Sequence, residues 1–184
     1  ELGSIRINKE ERTKMLKTIP RTSIIGFIIG VLPGAGATIA SFLAYGMERN
    51  LVKDEEKEKF GKGSVHGLAA PETANNAACS GAFVPLLTLG IPGSGTTAVM
   101  LGALLGFGIQ PGPRLYMTNP EIFWSVIMSM YIGMVVLLIL NLPLIPYIAR
   151  ILAVPKNYLI PLILFFSITG IYVMSFNNFD IYLM

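Results

Sequence analysis

The sequence predicts an all-α, polytopic integral membrane protein, and three observations carry that prediction. Hydrophobic residues make up 53% of the chain and charged residues 14%, against roughly 25% charged in a soluble domain. The charges are also segregated: residues 1–62 hold 11 of the 14 Lys/Arg and 8 of the 11 Asp/Glu. From Gly63 to Met184 only Glu72, Arg114, Glu121, Arg150, Lys156 and Asp180 remain, too few to hydrate a soluble surface. Third, apolar runs of half or full membrane length recur along the chain. Three regions are expected: a charged cytoplasmic or interfacial helix over 1–21, a region of broken helices over 22–113 with a charged loop at 48–63, and transmembrane helices over 114–184.

In chain order, Asn8 and Glu11 have the spacing of an N-cap and its N3 partner. Ile7, Met15, Leu16 and Ile19 give the segment 5–21 a partial apolar stripe, with an end expected near Pro20. Residues 22–47 are apolar but interrupted by Pro33-Gly34-Ala35-Gly36. Ile24–Leu32 would make a helix of about 14 Å, half of a ~30 Å hydrocarbon core. The segment is therefore either a broken spanning helix or a re-entrant hairpin. Six Lys/Arg precede it and five lie in the loop that follows, so the positive-inside rule favours the hairpin, which keeps both flanks on one side.

Residues 64–81 are small and polar, and Pro71-Glu72 suits the first turn of a helix. A second half-length apolar run then meets Ile91-Pro92-Gly93-Ser94-Gly95 and resumes as helix, with the topology of 82–109 left open. Asn119-Pro120-Glu121 is a helix start. Two spans are expected after it, at about 120–142 and 157–176, with Trp124, Tyr147 and Tyr158 near their ends as interfacial aromatics. Asp180–Met184 reads as the start of a further helix, so the chain is expected to be an internal piece of a longer polypeptide.

The two breaks share a pattern: Leu32-Pro-Gly-Ala-Gly-Ala-Thr38 and Ile91-Pro-Gly-Ser-Gly-Thr-Thr97. Backbone that leaves helical geometry at membrane depth is tolerated where it is buried in protein or lines a wet cavity. Paired interruptions of this kind mark substrate and ion sites in transporters. The bland alternative is that Pro and Gly only kink or pack the helices. The helix that starts after each break presents free N–H groups and a partial positive charge. No Lys or Arg lies between Gly63 and Pro113, so an anion here would meet amides, hydroxyls and a bound cation. The candidate site residues are Pro33, Gly34, Gly36, Thr38, Glu72, Thr73, Asn75, Asn76, Pro92, Gly93, Ser94, Gly95, Thr96 and Thr97. Asn75, Asn76, Ser94 and Thr96 could supply side-chain oxygens to Na⁺.

Other signals are weaker. Gly93-Ser-Gly95-Thr-Thr-Ala98 resembles a dinucleotide fingerprint but lacks the acidic partner and the βαβ context. Gly61-Lys-Gly-Ser64 does not complete a phosphate-binding loop. His66 reads as a polar helix or loop histidine rather than a proton relay, and Glu72 suits a helix first turn as well as a binding role. Cys79, the single cysteine, excludes an internal disulfide and any cysteine-based metal site, and is expected to pack. Gly26-x-x-x-Gly30 and Gly102-x-x-x-Gly106 read as close helix contacts. No catalytic set is present, so the chain is not expected to be an enzyme. No nucleic-acid partner is expected.

The runs GVLPGAGATIASFLAYGMER and FGKGSVHGLAAPETANNAACSGAFVPLLTLGIPGSGTTAVMLGALLGFGIQPGP, in that order, resemble the large membrane (permease) subunit of the bacterial tripartite tricarboxylate transporters, TctA type. The resemblance covers essentially the whole chain, and residues 30–113 are its specific part. It implies a secondary, cation-coupled permease of the bacterial inner membrane, multi-pass and built from two related halves, of which this chain would be part of the second. It also implies a small membrane subunit and a periplasmic solute-binding protein as partners, the latter delivering tricarboxylates or related carboxylates. No cofactor is implied beyond Na⁺ or H⁺ as coupling ion. A membrane channel or scaffold subunit without coupled transport is the alternative.

Overall fold

A computed structural model of the chain describes residues 7–149, 155–175 and 179. Among them the regular structure is entirely helical: α1 (Lys9–Val31), α2 (Gly36–Leu51), α3 (Asp54–Lys57), α4 (Val65–Gly81), α5 (Phe83–Leu89), α6 (Gly95–Gly106), α7 (Leu115–Thr118), α8 (Pro120–Ala149) and α9 (Lys156–Ser175). Contacts divide the chain into one unit reaching to Ser129 and another from Met130 onward.

In the first unit, α1 opens with the expected capping box. The Asn8 Oδ1 accepts from the Glu11 amide at 2.8 Å, and the Glu11 carboxylate accepts from the Asn8 amide at 2.9 Å. The expected end near Pro20 does not occur, and α1 runs on to Val31. Pro20 has no N–H for the carbonyl of Leu16. Both residues lie on the exposed face of the helix, where that carbonyl is not buried. The charged segment and the first apolar run are thus one helix.

Three helices pack around stripes of small residues spaced four apart. The buried positions are Thr18, Thr22, Gly26 and Gly30 on α1, Ala40, Ala44 and Glu48 on α2, and His66, Ala70, Ala74 and Ala78 on α4. A Cβ on Gly26 or Gly30 would run into the backbone of Ala74 or Ala78, closer than real side chains approach. These two glycines let α1 and α4 meet backbone to backbone, as small-residue spacing predicts. Gly102 and Gly106 behave differently: nothing described lies within 4 Å of a Cβ at either, because their face of α6 meets no other described element.

A second cluster joins Leu87, Leu104 and Leu115 with Phe83, Met100, Ile109 and Phe123. The outer faces of α1 and α2 leave Ile24, Phe27, Ile28, Ile39, Phe42 and Leu43 exposed. Helix α4 starts at Val65, capped by Ser64, whose Oγ accepts from the Gly67 amide at 3.1 Å. Pro71 and Glu72 therefore sit inside α4 and not in a first turn, so the helix N-terminus is too far away to stabilise Glu72.

Helix α8 contains 30 residues. Its stretch Pro120–Ile148, of mean hydropathy 2.4, is long and apolar enough to cross a membrane, the one such helix among the described residues. In the second unit α9 carries a shorter apolar stretch, Asn157–Val173. The far end of the span expected over 157–176 and the helix start expected at Asp180–Met184 lie outside the described residues.

Candidate functional site

At the first break, Leu32 leaves helical geometry with φ −79° and ψ 114°. A turn follows, closed by the Ala35 amide on the Leu32 carbonyl at 3.2 Å. Gly34 and Gly36 carry φ of 85° and 70°, which L side chains rarely adopt. Helix α2 then begins at Gly36 with Ala35 at its N-cap and no side-chain cap. Its first amides have no side-chain acceptor, and Thr38 is exposed.

At the second break α5 ends on Gly90 in the left-handed region, φ 70°, with Gly90 and Ile91 amides bonded back to Leu86 and Pro85. Pro92 and Gly93 are irregular, and Ser94 is the extended N-cap of α6. Ser94 Oγ accepts from the Thr97 amide at 3.2 Å, while Thr97 Oγ1 accepts from the Ser94 amide at 2.8 Å. Ser94, Gly95 and Thr96 are exposed and Thr97 is buried.

The fold seats the second break beside the end of α1. A Cβ on Gly93 would lie 3.4 Å from that of Ala82 and 3.8 Å from the Gly30 carbonyl oxygen. Gly81 lies against Phe27, Gly30 and Val31. Two residues short of Pro33, α1 thus meets the α4–α5 junction and Gly93 together.

The polar residues of α4 are sorted by face. Asn75 is half-buried toward α2, its Nδ2 donating to Ser41 Oγ at 3.2 Å. The Ser41 hydroxyl in turn reaches the carbonyls of Ala37 at 3.0 Å and Pro71 at 3.2 Å. Asn76 and Glu72 are exposed, and the Asn76 Nδ2 donates to the Glu72 carbonyl at 2.8 Å. Thr73 is half-buried. Among the described residues no hydrogen bond links Asn75 or Asn76 to Ser94 or Thr96. Ser41, which sequence reasoning passed over, is what Asn75 meets. Cys79 is exposed, not packed, because it lies one turn beyond Asn75 and off the Ala70–Ala74–Ala78 stripe.

At the other end of the hairpin lies a cluster that the sequence reading also missed. Because α2 returns alongside α1, the fully buried Glu48 meets Thr18 and Arg21. Arg21 binds it through two nitrogens, with Nε on Oε2 at 2.7 Å and Nη2 on Oε1. Thr18 Oγ1 donates to Oε1 at 2.8 Å, and His66 Nδ1 stands 3.0 Å from Oε1 and 2.7 Å from Thr18 Oγ1. His66 is thus a helix histidine, as expected, but a buried one that belongs to a charged cluster. The signal lay in the four-residue spacing: Ala40, Ala44 and then Glu48 on one helix, His66 and then Ala70, Ala74 and Ala78 on the other.

Beyond this cluster Lys14 bridges Glu10 at 2.8 Å and Glu56 at 3.1 Å, and Lys59 adds a bond to Glu56 at 2.7 Å. The Lys14 hydrogen bond holds the Glu10 carboxyl below its ordinary range, Lys59 and then Lys14 do so for Glu56, and Lys57 does so for Asp54. Lys14 is raised in turn, by Glu10 first and Glu56 second. No group of three or more His, Cys, Asp or Glu suited to a metal ion occurs among the described residues.

Comparison with known proteins matches residues 1–184 to the family described as the tripartite tricarboxylate transporter TctA family. An uncharacterized 52.8 kDa protein in the TAR-I ttuC' 3' region of Agrobacterium vitis is 44% identical over 176 residues, covering 96% of this chain and 35% of that protein. An uncharacterized protein in the TAR-II ttuC' 3' region of the same organism is 46% identical over 157 residues, covering 85% of this chain and 64% of that protein. The chain thus spans about a third and just under two thirds of these relatives' lengths. No solved structure matches it.

Proposed function

The chain belongs to the tripartite tricarboxylate transporter TctA family, and from that premise we propose that it forms the broken-helix part of a secondary active, cation-coupled carboxylate permease. The observation that carries this reading is the meeting of Gly93, in the second break, with Gly30 at the end of α1. Helices α2 and α6 follow the breaks and offer their first amides to an anion, α2 without a side-chain cap and α6 beside its Ser94 cap, and no Lys or Arg is present from Gly63 to Pro113 around the second break. Amides at helix ends bind carboxylates through hydrogen bonds and a partial positive charge of about half a unit. They do so without the strong hold of a salt bridge, which suits a ligand that must be released. A cation entering with the anion offsets its charge and draws on the membrane gradient. Neutral oxygens outnumber protonatable groups around the breaks, which favours Na⁺ over H⁺, with Asn75, Asn76, Ser94 and Thr96 as side-chain candidates beside freed carbonyls.

The apolar faces of α1 and α2 and the length of α8 suit a bilayer, read here as the bacterial inner membrane. A small membrane subunit and a periplasmic binding protein would complete the assembly, and one bundle carrying the broken helices would move against the rest. The test is uptake of labelled citrate by the complete transporter in liposomes, with binding protein outside and imposed Na⁺ or H⁺ gradients. Gradient-driven accumulation and substrate counterflow are expected, both weakened by Thr96→Ala and Asn75→Ala. Downhill leak without counterflow would identify a channel instead, and activity and Na⁺ dependence unchanged in both variants would remove the site assignment.

A further inference from the structure

We propose that His66 is a proton-binding residue whose protonation displaces Arg21 from Glu48 and so unfastens α1 from α2 at the charged end of the hairpin. This goes beyond the carboxylate reading and does not depend on it. Glu48 is fully buried, and a buried carboxylate must be held by opposite charge and hydrogen bonds. Arg21 supplies the charge, and Thr18 and His66 supply further bonds to Oε1. With Arg21 and Glu48 both ionised, the cluster is neutral when the imidazole is neutral.

The ring's two nitrogens differ. Nδ1 is occupied by Glu48 and Thr18. No buried side-chain nitrogen or oxygen among the described residues lacks a partner, and Nε2 makes none of these bonds, so Nε2 keeps some accessible surface. A neutral ring that donates from Nδ1 to the carboxylate offers a lone pair at Nε2, where a proton from water can bind. Imidazole is the side chain suited to that change between about pH 5 and 8.

Once the proton is bound, two cations share one carboxylate. The one that can leave is Arg21, whose side chain is 36% exposed against 10% for His66. Moving outward, the guanidinium regains water, while the imidazolium stays in its bond to Glu48. The net result is a proton in and a guanidinium out, with the buried carboxylate still paired. The other charged groups nearby are already engaged: Lys14 with Glu10 and Glu56, and Glu56 with Lys59. Tyr45 of α2 packs its ring edge-on to Phe60, with centroids 5.2 Å apart.

The experiment uses the full-length protein in lipid nanodiscs. Diethylpyrocarbonate modifies neutral, accessible imidazole nitrogen, and peptide mass spectrometry reads the extent at His66. The rate at His66 is expected to rise about tenfold or more from pH 5 to 8, and no labelling at any pH, or a flat rate, overturns the proposal. Spin labels at Lys17→Cys and Arg49→Cys, in a Cys79→Ser background, report the second half. Their separation is expected to widen on acidification in the otherwise native protein. Arg21→Gln is expected to be wide at every pH. In His66→Asn, whose amide keeps a donor at the Nδ1 position, the separation should not respond to pH. A constant separation in the native protein, or an equal response in His66→Asn, defeats the clamp.

Discussion

The two Pro-Gly breaks share a sequence pattern but not a structure. In the first, two glycines in the left-handed region turn the chain, and α2 starts from Ala35 with no side chain over its amides. In the second, the reversal falls at Gly90, before the proline, and α6 starts from Ser94 with Thr97 closing a reciprocal box. The aligned cap positions differ in residue and in backbone: Ser94 is extended, with φ −155° and ψ 167°, whereas Ala35 is helical, with φ −66° and ψ −44°. Serine makes the second helix end satisfy part of its own backbone, whereas alanine leaves the first to water or a ligand. Similar motifs can therefore end in different helix starts, one without a side-chain cap and the other with a reciprocal one.

Four perturbations can break or sharpen that contrast. The largest effect is expected at Gly30, whose added side chain would enter the Ala78 backbone beside the first break. Gly30→Val should cost roughly 3 kcal/mol and abolish a monodisperse peak in detergent chromatography. Gly102→Ala, in the helix after the second break, should gain up to about 1 kcal/mol of helix propensity, read as a raised Tm. Next comes the turn itself: Gly34→Ala and Gly36→Ala should each lose about 1–2 kcal/mol. Gly93→Ala, without a positive φ and with only ordinary contact to Ala82, should lose far less; equal losses would make the breaks equivalent after all.

A cap swap is the third. Ser94→Ala should lower stability by about 1 kcal/mol, read as a lowered Tm, while Ala35→Ser, placed on helical backbone that does not aim a cap at the α2 amides, should change it far less. The smallest effect is at the charged end. Carboxyls held below their ordinary range stabilise the fold above the pKa they have when unfolded, and that contribution is lost as pH falls through their lowered folded values. Hydrogen exchange around Asp54–Lys59 should therefore quicken, relative to its intrinsic rate, on acidification below about pH 4, with the breaks unaffected. Lys14→Ala should reproduce part of this at neutral pH.

Much of this architecture was legible where the controlling interaction is local. Asn8 with Glu11 and the seam at Gly26 and Gly30 follow from neighbours three or four residues away. Pro20 and Pro71 misled, because a proline's effect on a helix depends on which face carries the unbonded carbonyl, and that is a tertiary fact. Asn75 was legible as a site candidate but its partner Ser41, thirty-four residues away, was not. Glu48 and His66 were hidden by composition: each lies at the start of a polar segment, one charged and the other uncharged. Only the four-residue stripes of alanine, extended by one step, place them inside.

Helix α8 carries one more consequence. At 1.5 Å per residue, its 30 residues reach about 45 Å, well beyond a hydrocarbon layer of ~30 Å. Such an excess is relieved by tilting, by bending or by thickening the surrounding lipid, each at a modest energetic cost. Pro143 and Pro146 lie inside the helix, and the hydrogen bonds they delete make its last two turns the easiest place to bend. Placed across a bilayer, this helix would have to respond to the thickness of the layer.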